Sequence, residues 1–202
     1  MTLNHRTVTD NVLHSDRLPA VRISVHPDFA YAGSLRFILN AVAHVEQHHF
    51  VIADERRRVR RLVWVQFEGY LDDNAHTYHY PMTDTLTLGA PAGAPGGAHT
   101  FLHDAGVLNI DDDYRERPAS DSAHVVDFLR GQGYGYDGDT LFKRLVWLDA
   151  AKRNELMIIY AEDLRPTGYR VPDLQPGGSA AAHWPALAQA LHRRALASFT
   201  IA

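Results

Sequence analysis

The stretch "LRFILNAVAHVEQHHFVIADERRRVRRLVWVQFEGYL", residues 35–71, decides the fold. Residues 35–52 contain no glycine or proline and many β-branched and aromatic residues. They predict one long strand, although "LRFILNAVAHVEQH" can also be drawn as a helix. A charged turn near residues 54–58 leads into a second apolar run. We therefore expect a long β-hairpin over about residues 34–71.

The remaining pattern places strands before helices. Short alternating runs predict strands at residues 21–27, 76–80 and 84–89, after an irregular arm at residues 1–20. Helical stripes predict helices within residues 120–133, 139–153 and 184–199. The first has Asp121 or Ser122 as its cap and Gly131 as its stop, and the last has Pro185 in its first turn. A buried strand is expected at residues 154–164 and a flexible loop at residues 89–98. This order favours a single α+β domain over residues 1–202, in which a curved antiparallel sheet packs against three to four helices from the C-terminal half.

The composition excludes several classes of function. The chain has 202 residues, no cysteine and a formal net charge of −4. Disulfides, thiolate metal sites and cysteine nucleophiles are therefore absent, and the charge gives no case for nucleic acid. No apolar run is long enough to cross a membrane and the first residues do not resemble a signal peptide, so a cytoplasmic protein is expected. Thirteen histidines are spread along the chain.

The opening stretch holds the candidate site. Alternation places His44, Glu46 and His48 on one side of the first strand. If the turn pairs even-numbered residues with even-numbered residues, these three side chains share a face with four from the second strand, Trp64, Gln66, Glu68 and Tyr70. The other parity, with Val63, Val65 and Phe67, then forms the core. A face that mixes aromatic, imidazole, carboxylate and amide groups is typical of a ligand pocket.

Three interpretations of that face stay open. His44, Glu46 and His48 are a solvated strand face, the lining of a metal-free pocket, or ligands for a divalent metal such as zinc, manganese or iron. The leading hypothesis is a small-molecule pocket in which Glu46, Trp64, Gln66 and Tyr70 bind the ligand. Catalysis there would use His44 or His48 as the base and Glu68 as the acid or electrostatic partner.

A function from another class is also consistent with the sequence. The chain could be a non-catalytic homodimeric or partner-binding module that uses the sheet face and the arginine-rich turn. Five arginines lie within residues 56–61, but without interleaved aromatic residues they are typical of a solvated hairpin end.

Other motifs are weak. A G-x-G-x-x-G pattern at residues 133–138 does not follow a predicted strand, so a turn explains it better than a dinucleotide site. "HTFLH", residues 99–103, lacks the internal glutamate of a zinc protease. Secondary candidates on the late strand, Glu155, Tyr160, Glu162 and Asp163, could reach the pocket only if that strand lies beside the hairpin.

Overall fold

The computed structural model describes residues 5–89 and 97–202. Within them the chain forms two antiparallel sheets and four α-helices. The four-stranded sheet has the order β1-β2-β3-β11, and the seven-stranded sheet has the order β4-β5-β6-β10-β9-β8-β7. The strands of the first sheet are β1 (Arg6–Thr9), β2 (Val12–Asp16), β3 (Ala20–Val25) and β11 (Phe199–Ile201). Those of the second are β4 (Ala30–Leu39), β5 (Ala43–Ala53), β6 (Val59–Tyr70), β7 (Thr85–Gly89), β8 (Ala98–Asn109), β9 (Asp139–Leu148) and β10 (Asn154–Asp163). The helices are α1 (Ile110–Glu116), α2 (Asp121–Gly131), α3 (Val171–Leu174) and α4 (Trp184–Ala197). The α+β class with antiparallel sheets is confirmed.

The two faces of the seven-stranded sheet are covered differently. One face, here the core face, packs with the four-stranded sheet, α3 and α4 around residues such as Val63, Val65 and Phe67. The other, here the α2 face, packs against α2 through Leu62, Trp64 and the helix residues Val125 and Leu129. Both faces are buried, so neither carries the simple apolar and polar alternation of a one-sided sheet.

The predicted hairpin is a three-stranded meander instead. Asn40 and Ala41 have φ values of 48° and 58°, and they close a tight turn between β4 and β5. Asparagine tolerates this left-handed conformation. The prediction of one continuous strand over residues 35–52 was therefore wrong. The sequence did not reveal the turn because the turn contains neither glycine nor proline.

Three other predictions also fail. The arm at residues 1–20 contains β1 and β2, and residues 76–80 form no strand. The helix predicted at residues 139–153 is β9. Leu141 and Leu145 are four residues apart, and this spacing puts them on one side of a strand as well as of a helix.

Several predicted elements are confirmed. Strand β10 occupies residues 154–163, and Pro185 lies in the first turn of α4. Helix α2 is present and includes Gly131, but its cap is Ser120 rather than the predicted Asp121 or Ser122. The glycine motif at residues 133–138 connects a helix to a strand, the reverse of the order in a dinucleotide site. Most of the loop predicted at residues 89–98 lies outside the described residues. No helix in the described ranges is long and apolar enough to cross a membrane.

Candidate functional site

One extra residue in β6 divides the predicted site between the two faces. Ala53 pairs with Val59, but Ile52 pairs with Arg61, so Arg60 is an additional residue on the β6 side. Such a bulge changes the parity of every pair beyond it. His44, Glu46 and His48 lie opposite Gly69, Phe67 and Val65 on the core face. Trp64, Gln66, Glu68 and Tyr70 lie on the α2 face, opposite His49, Gln47, Val45 and Ala43. The predicted even-with-even pairing was wrong.

On the core face, Glu46 is the centre of a charged network. It accepts hydrogen bonds from Arg6 Nη1 at 3.1 Å and Arg36 Nη2 at 2.9 Å. His48 Nε2 lies 3.0 Å from Glu46 Oε1, and His48 Nδ1 lies 3.0 Å from the Tyr31 hydroxyl. Burial alone would raise the pKa of Glu46, but hydrogen bonds from His48 and Arg36 and the charge of Arg6 outweigh it and hold the pKa at about 2. Glu46 is therefore a fixed negative charge that organises the cations around it.

An open groove of about 590 Å³ lies at this end of the sheet. Three arginines and two histidines line it, and its apolar lining includes two of the most exposed large hydrophobic side chains. We call it the arginine groove, and its defining residues are Arg6, Arg17, Arg36, His44, Leu18 and Ile38. His44 is exposed in it, whereas His48 is buried behind Glu46.

On the α2 face, polar side chains form a buried row. Gln47 Nε2 donates to Gln66 Oε1 at 2.8 Å, and Gln66 Nε2 donates to Glu68 Oε2 at 2.8 Å. The Tyr78 hydroxyl donates to Glu68 Oε1 at 2.9 Å. Tyr70 stacks on Tyr78 with ring centroids 4.4 Å apart. Glu68 is thus held by neutral donors rather than by a cation.

Glu155 of β10 pairs directly with Glu68 of β6, which brings two buried carboxyl groups onto neighbouring strands. The Tyr80 hydroxyl donates to Glu155 Oε2 at 2.6 Å. Burial raises the pKa of Glu155 to about 8, and the charges of Glu68 and Asp121 add to the effect. Burial also raises the pKa of Glu68 to about 7, with a further contribution from Asp121. Both groups can therefore carry protons near neutral pH.

A smaller cavity of about 180 Å³ lies between α1, α2 and the α2 face. Four aromatic residues line it together with charged side chains from the helices and the sheet. We call it the inner cavity, and its defining residues are Trp64, Tyr80, Tyr136, Phe142, Asp121 and Arg144. Trp64 is 6% exposed, and its Nε1 has no hydrogen-bond partner among the described residues.

The structure therefore brings together only part of the predicted site. Glu46 and His48 are in contact. Four of the predicted residues line the arginine groove, namely His44, Glu46, Glu68 and Tyr70, although Glu68 and Tyr70 belong to the α2 face. Trp64 lines the inner cavity instead. Sequence reasoning missed Arg6, Tyr78 and Tyr80, because the first lay in a supposed arm and the other two in a supposed strand. No group of three or more metal-ligating side chains suited to a metal ion occurs within residues 5–89 and 97–202.

Comparison with known proteins gives no relative. No protein-family model matches the chain, and no curated protein or solved structure does so at a significant level. The function is therefore argued from the geometry alone.

Proposed function

We propose that the protein binds a small amphipathic anion, a carboxylate attached to an apolar chain, in the arginine groove. The observation that carries the proposal is an excess of guanidinium groups in a groove that also exposes apolar side chains. A concave site with a few charged anchors and apolar walls is the usual form of a small-molecule site.

The charges of the groove favour an anion. Three guanidinium groups line the groove together with two carboxyl groups, those of Glu46 and Glu68. Glu46 is in contact with Arg6 and Arg36. Arg17, which is exposed, has no carboxylate within 4.0 Å in the described part of the chain. The formal net charge of the whole chain is −4, so this positive surface is local and opposite in sign to the rest. A guanidinium binds carboxylates through paired hydrogen bonds.

The apolar surface favours a hydrocarbon tail. Leu18 is 47% exposed and Ile38 is 53% exposed, and both line the groove. Phe67 lies beneath the guanidinium of Arg6, 3.8 Å from the ring centroid. A volume of about 590 Å³ is sufficient for a ligand with a chain of several carbons. A carboxylate with such a chain would contact both kinds of surface.

The test compares octanoate, octanol and octylamine, which share a chain and differ in charge, by isothermal titration calorimetry. We expect octanoate to bind at least about tenfold more tightly than the other two, which is about 1.4 kcal/mol. Arg17→Gln should remove most of this preference. Arg193→Gln is the matched control, because Arg193 is exposed on α4 and does not line the groove.

Butyrate tests the tail separately, and it should bind more weakly than octanoate. Ile38→Ser should reduce octanoate binding and leave butyrate unchanged. Equal binding of octylamine and octanoate, or equal effects of Arg17→Gln and Arg193→Gln, would contradict the proposal.

The partner-binding alternative has less support from the geometry. The arginines of the turn contact the same chain: Arg57 donates to the Gln132 and Gly133 carbonyl oxygens, and Arg58 pairs with Asp137. Arg60 bridges Asp54 and Asp163. These side chains brace the turn against neighbouring loops, which leaves fewer of them for a partner.

A further inference from the structure

The inner cavity is the strongest feature that the proposed function does not use. It is enclosed by α1 and α2 on one side and by the α2 face on the other. An engineered cavity of about 150 Å³ in another protein accepts benzene, so a volume of about 180 Å³ suits one aromatic ring with a short substituent. Arg117, at the edge of the lining, has a side chain that is 62% exposed, and we place the entrance there.

The charges around the inner cavity leave one carboxylate without a cation in direct contact, although the charge of Arg144 acts on it from farther away. Arg117 pairs with Asp113, and Arg144 donates to Asp104 at 2.6 and 3.0 Å. Asp121 accepts from Gln66 Nε2 at 3.3 Å and from the Ser122 amide at 2.9 Å, and no cation lies within 4.0 Å of it among the described residues. Its position at the start of α2 stabilises the charge but does not neutralise it.

The polar row behind Asp121 connects the cavity to the buried acid pair. Gln66, the donor to Asp121, also donates to Glu68, and the Tyr80 ring that lines the cavity donates its hydroxyl to Glu155. Glu68 is therefore linked through Gln66 to Asp121, and Glu155 is bonded directly to Tyr80, so each carboxyl group is connected to a residue that lines the cavity. Because the pKa of each of these two carboxyl groups is raised, both can be neutral near pH 7, and the negative charge that a cation would meet here is that of Asp121, which would also repel an anion.

The walls are also suited to a cation that carries an aromatic ring. Trp64, Tyr80, Tyr136 and Phe142 all line the cavity. Aromatic faces attract ammonium groups, with the largest effect where water is excluded. The Trp64 Nε1 is buried and without a partner among the described residues, so this wall is incompletely satisfied; as a donor it requires a lone pair, and it therefore does not itself select for a cation.

We propose that the inner cavity is a second binding site, which takes a small aromatic or alkyl amine whose ammonium group pairs with Asp121 and whose apolar part lies among the four aromatic side chains. This site has the opposite charge selectivity to the arginine groove and does not depend on the function proposed there. The protein would accordingly hold an anion and an amine at separate places on one sheet.

The test uses benzylamine, benzyl alcohol and benzoate, which have nearly the same shape and differ in charge. Binding is followed by two-dimensional ¹H–¹⁵N spectra, to which the three tryptophans, Trp64, Trp147 and Trp184, each contribute one indole signal. We expect benzylamine to move the Trp64 signal selectively and to bind at least about tenfold more tightly than benzyl alcohol, with benzoate weakest.

Asp121→Asn should reduce benzylamine binding to the level of benzyl alcohol. Asp112→Asn is the matched control, because Asp112 is an exposed residue of α1 that pairs only with Arg115. Arg17→Gln, which disables the groove, should leave benzylamine binding unchanged.

The proposal is overturned if benzyl alcohol or benzoate binds as tightly as benzylamine, or if the Trp64 signal does not move. These measurements use the unmodified protein, so they decide the matter even if Asp121→Asn does not fold. If Asp121→Asn folds and binds benzylamine as the wild type does, the assignment of the ammonium partner is wrong.

Discussion

The opposed carboxyl groups of Glu68 and Glu155 should make the protein less stable as the pH rises through neutrality, and Glu155→Gln should remove most of this loss. In the folded state the pKa of Glu155 is about 8, compared with an ordinary value of 4.5, because burial disfavours its charged form. Above pH 4.5 the unfolded chain releases this proton, whereas the folded chain keeps it until about pH 8. The unfolded state therefore binds fewer protons in this interval, and stability falls with increasing pH.

The size of the effect follows from the pKa. A rise from 4.5 to about 8 corresponds to roughly 4–5 kcal/mol for Glu155 once the pH exceeds 8. Glu68, with a pKa of about 7, contributes roughly 3 kcal/mol in the same direction. Below pH 6.5 a buried neutral histidine opposes the trend, since burial lowers the pKa of His49 to about 3. The quantity to measure is therefore the difference between variant and wild type.

The assay is urea unfolding, followed by circular dichroism, at several pH values between 5 and 9. Glutamine keeps an oxygen that accepts the Tyr80 hydroxyl, so Glu155→Gln should match the wild type near pH 5 and exceed its stability by a few kcal/mol at pH 8.5. Glu116→Gln is the control, because Glu116 is exposed on α1. If the wild type is equally stable at pH 6.5 and 8.5, or if Glu155→Gln follows the wild-type slope, the acid pair does not behave as described.

The other predictions concern the remaining charged groups and the two faces of the sheet. The pKa of Glu46 is held at about 2, so this residue contributes roughly 3 kcal/mol of stability that is present above pH 4.5 and is lost as the pH falls towards 2. Glu46→Gln should lack this loss in acid unfolding. An acid-unfolding profile equal to that of the wild type would contradict the network. His49 should stay neutral in nuclear magnetic resonance titrations down to about pH 4, whereas ordinary titration near pH 6.5 would show that its burial is wrong. Trp64→Ala should lower the free energy of unfolding in urea by roughly 3–5 kcal/mol, because the ring is buried. Ile38→Ala, in the exposed groove, should change it by less than about 0.5 kcal/mol. Similar losses for the two variants would refute the difference in burial between these two surfaces of the sheet.

Local pattern was sufficient for the class of fold and for several elements. The alternation in β6 predicts that Val63, Val65 and Phe67 are buried together, and they are. Caps and stripes predict α2 and α4 because their signals lie within a few consecutive residues. The β4–β5 turn could not be predicted, since Asn40 and Ala41 adopt positive φ values without a glycine or proline to mark them.

The candidate site was predictable only in part, because it depends on register. Residues His44, Glu46 and His48 share a face by alternation alone, and Glu46 and His48 do form a contact. The β6 residues opposite them are set by the bulge at Arg60, and no local sequence pattern marks a bulge at this position. The pairing of Glu155 with Glu68 depends on contact between strands that are far apart in sequence, so no short pattern reveals it.

The bulge at Arg60 also constrains how the length of this segment can vary. Strands alternate with a period of two, so one residue gained or lost between the turn at Asp54 and the buried row beginning at Leu62 would exchange the two faces of everything that follows. Trp64 and Gln66 would then face the four-stranded sheet, and Val63 and Val65 would face α2. Changes of two residues preserve both surfaces, and a change of one requires a second single-residue change nearby. Length in this segment is therefore restricted to even steps.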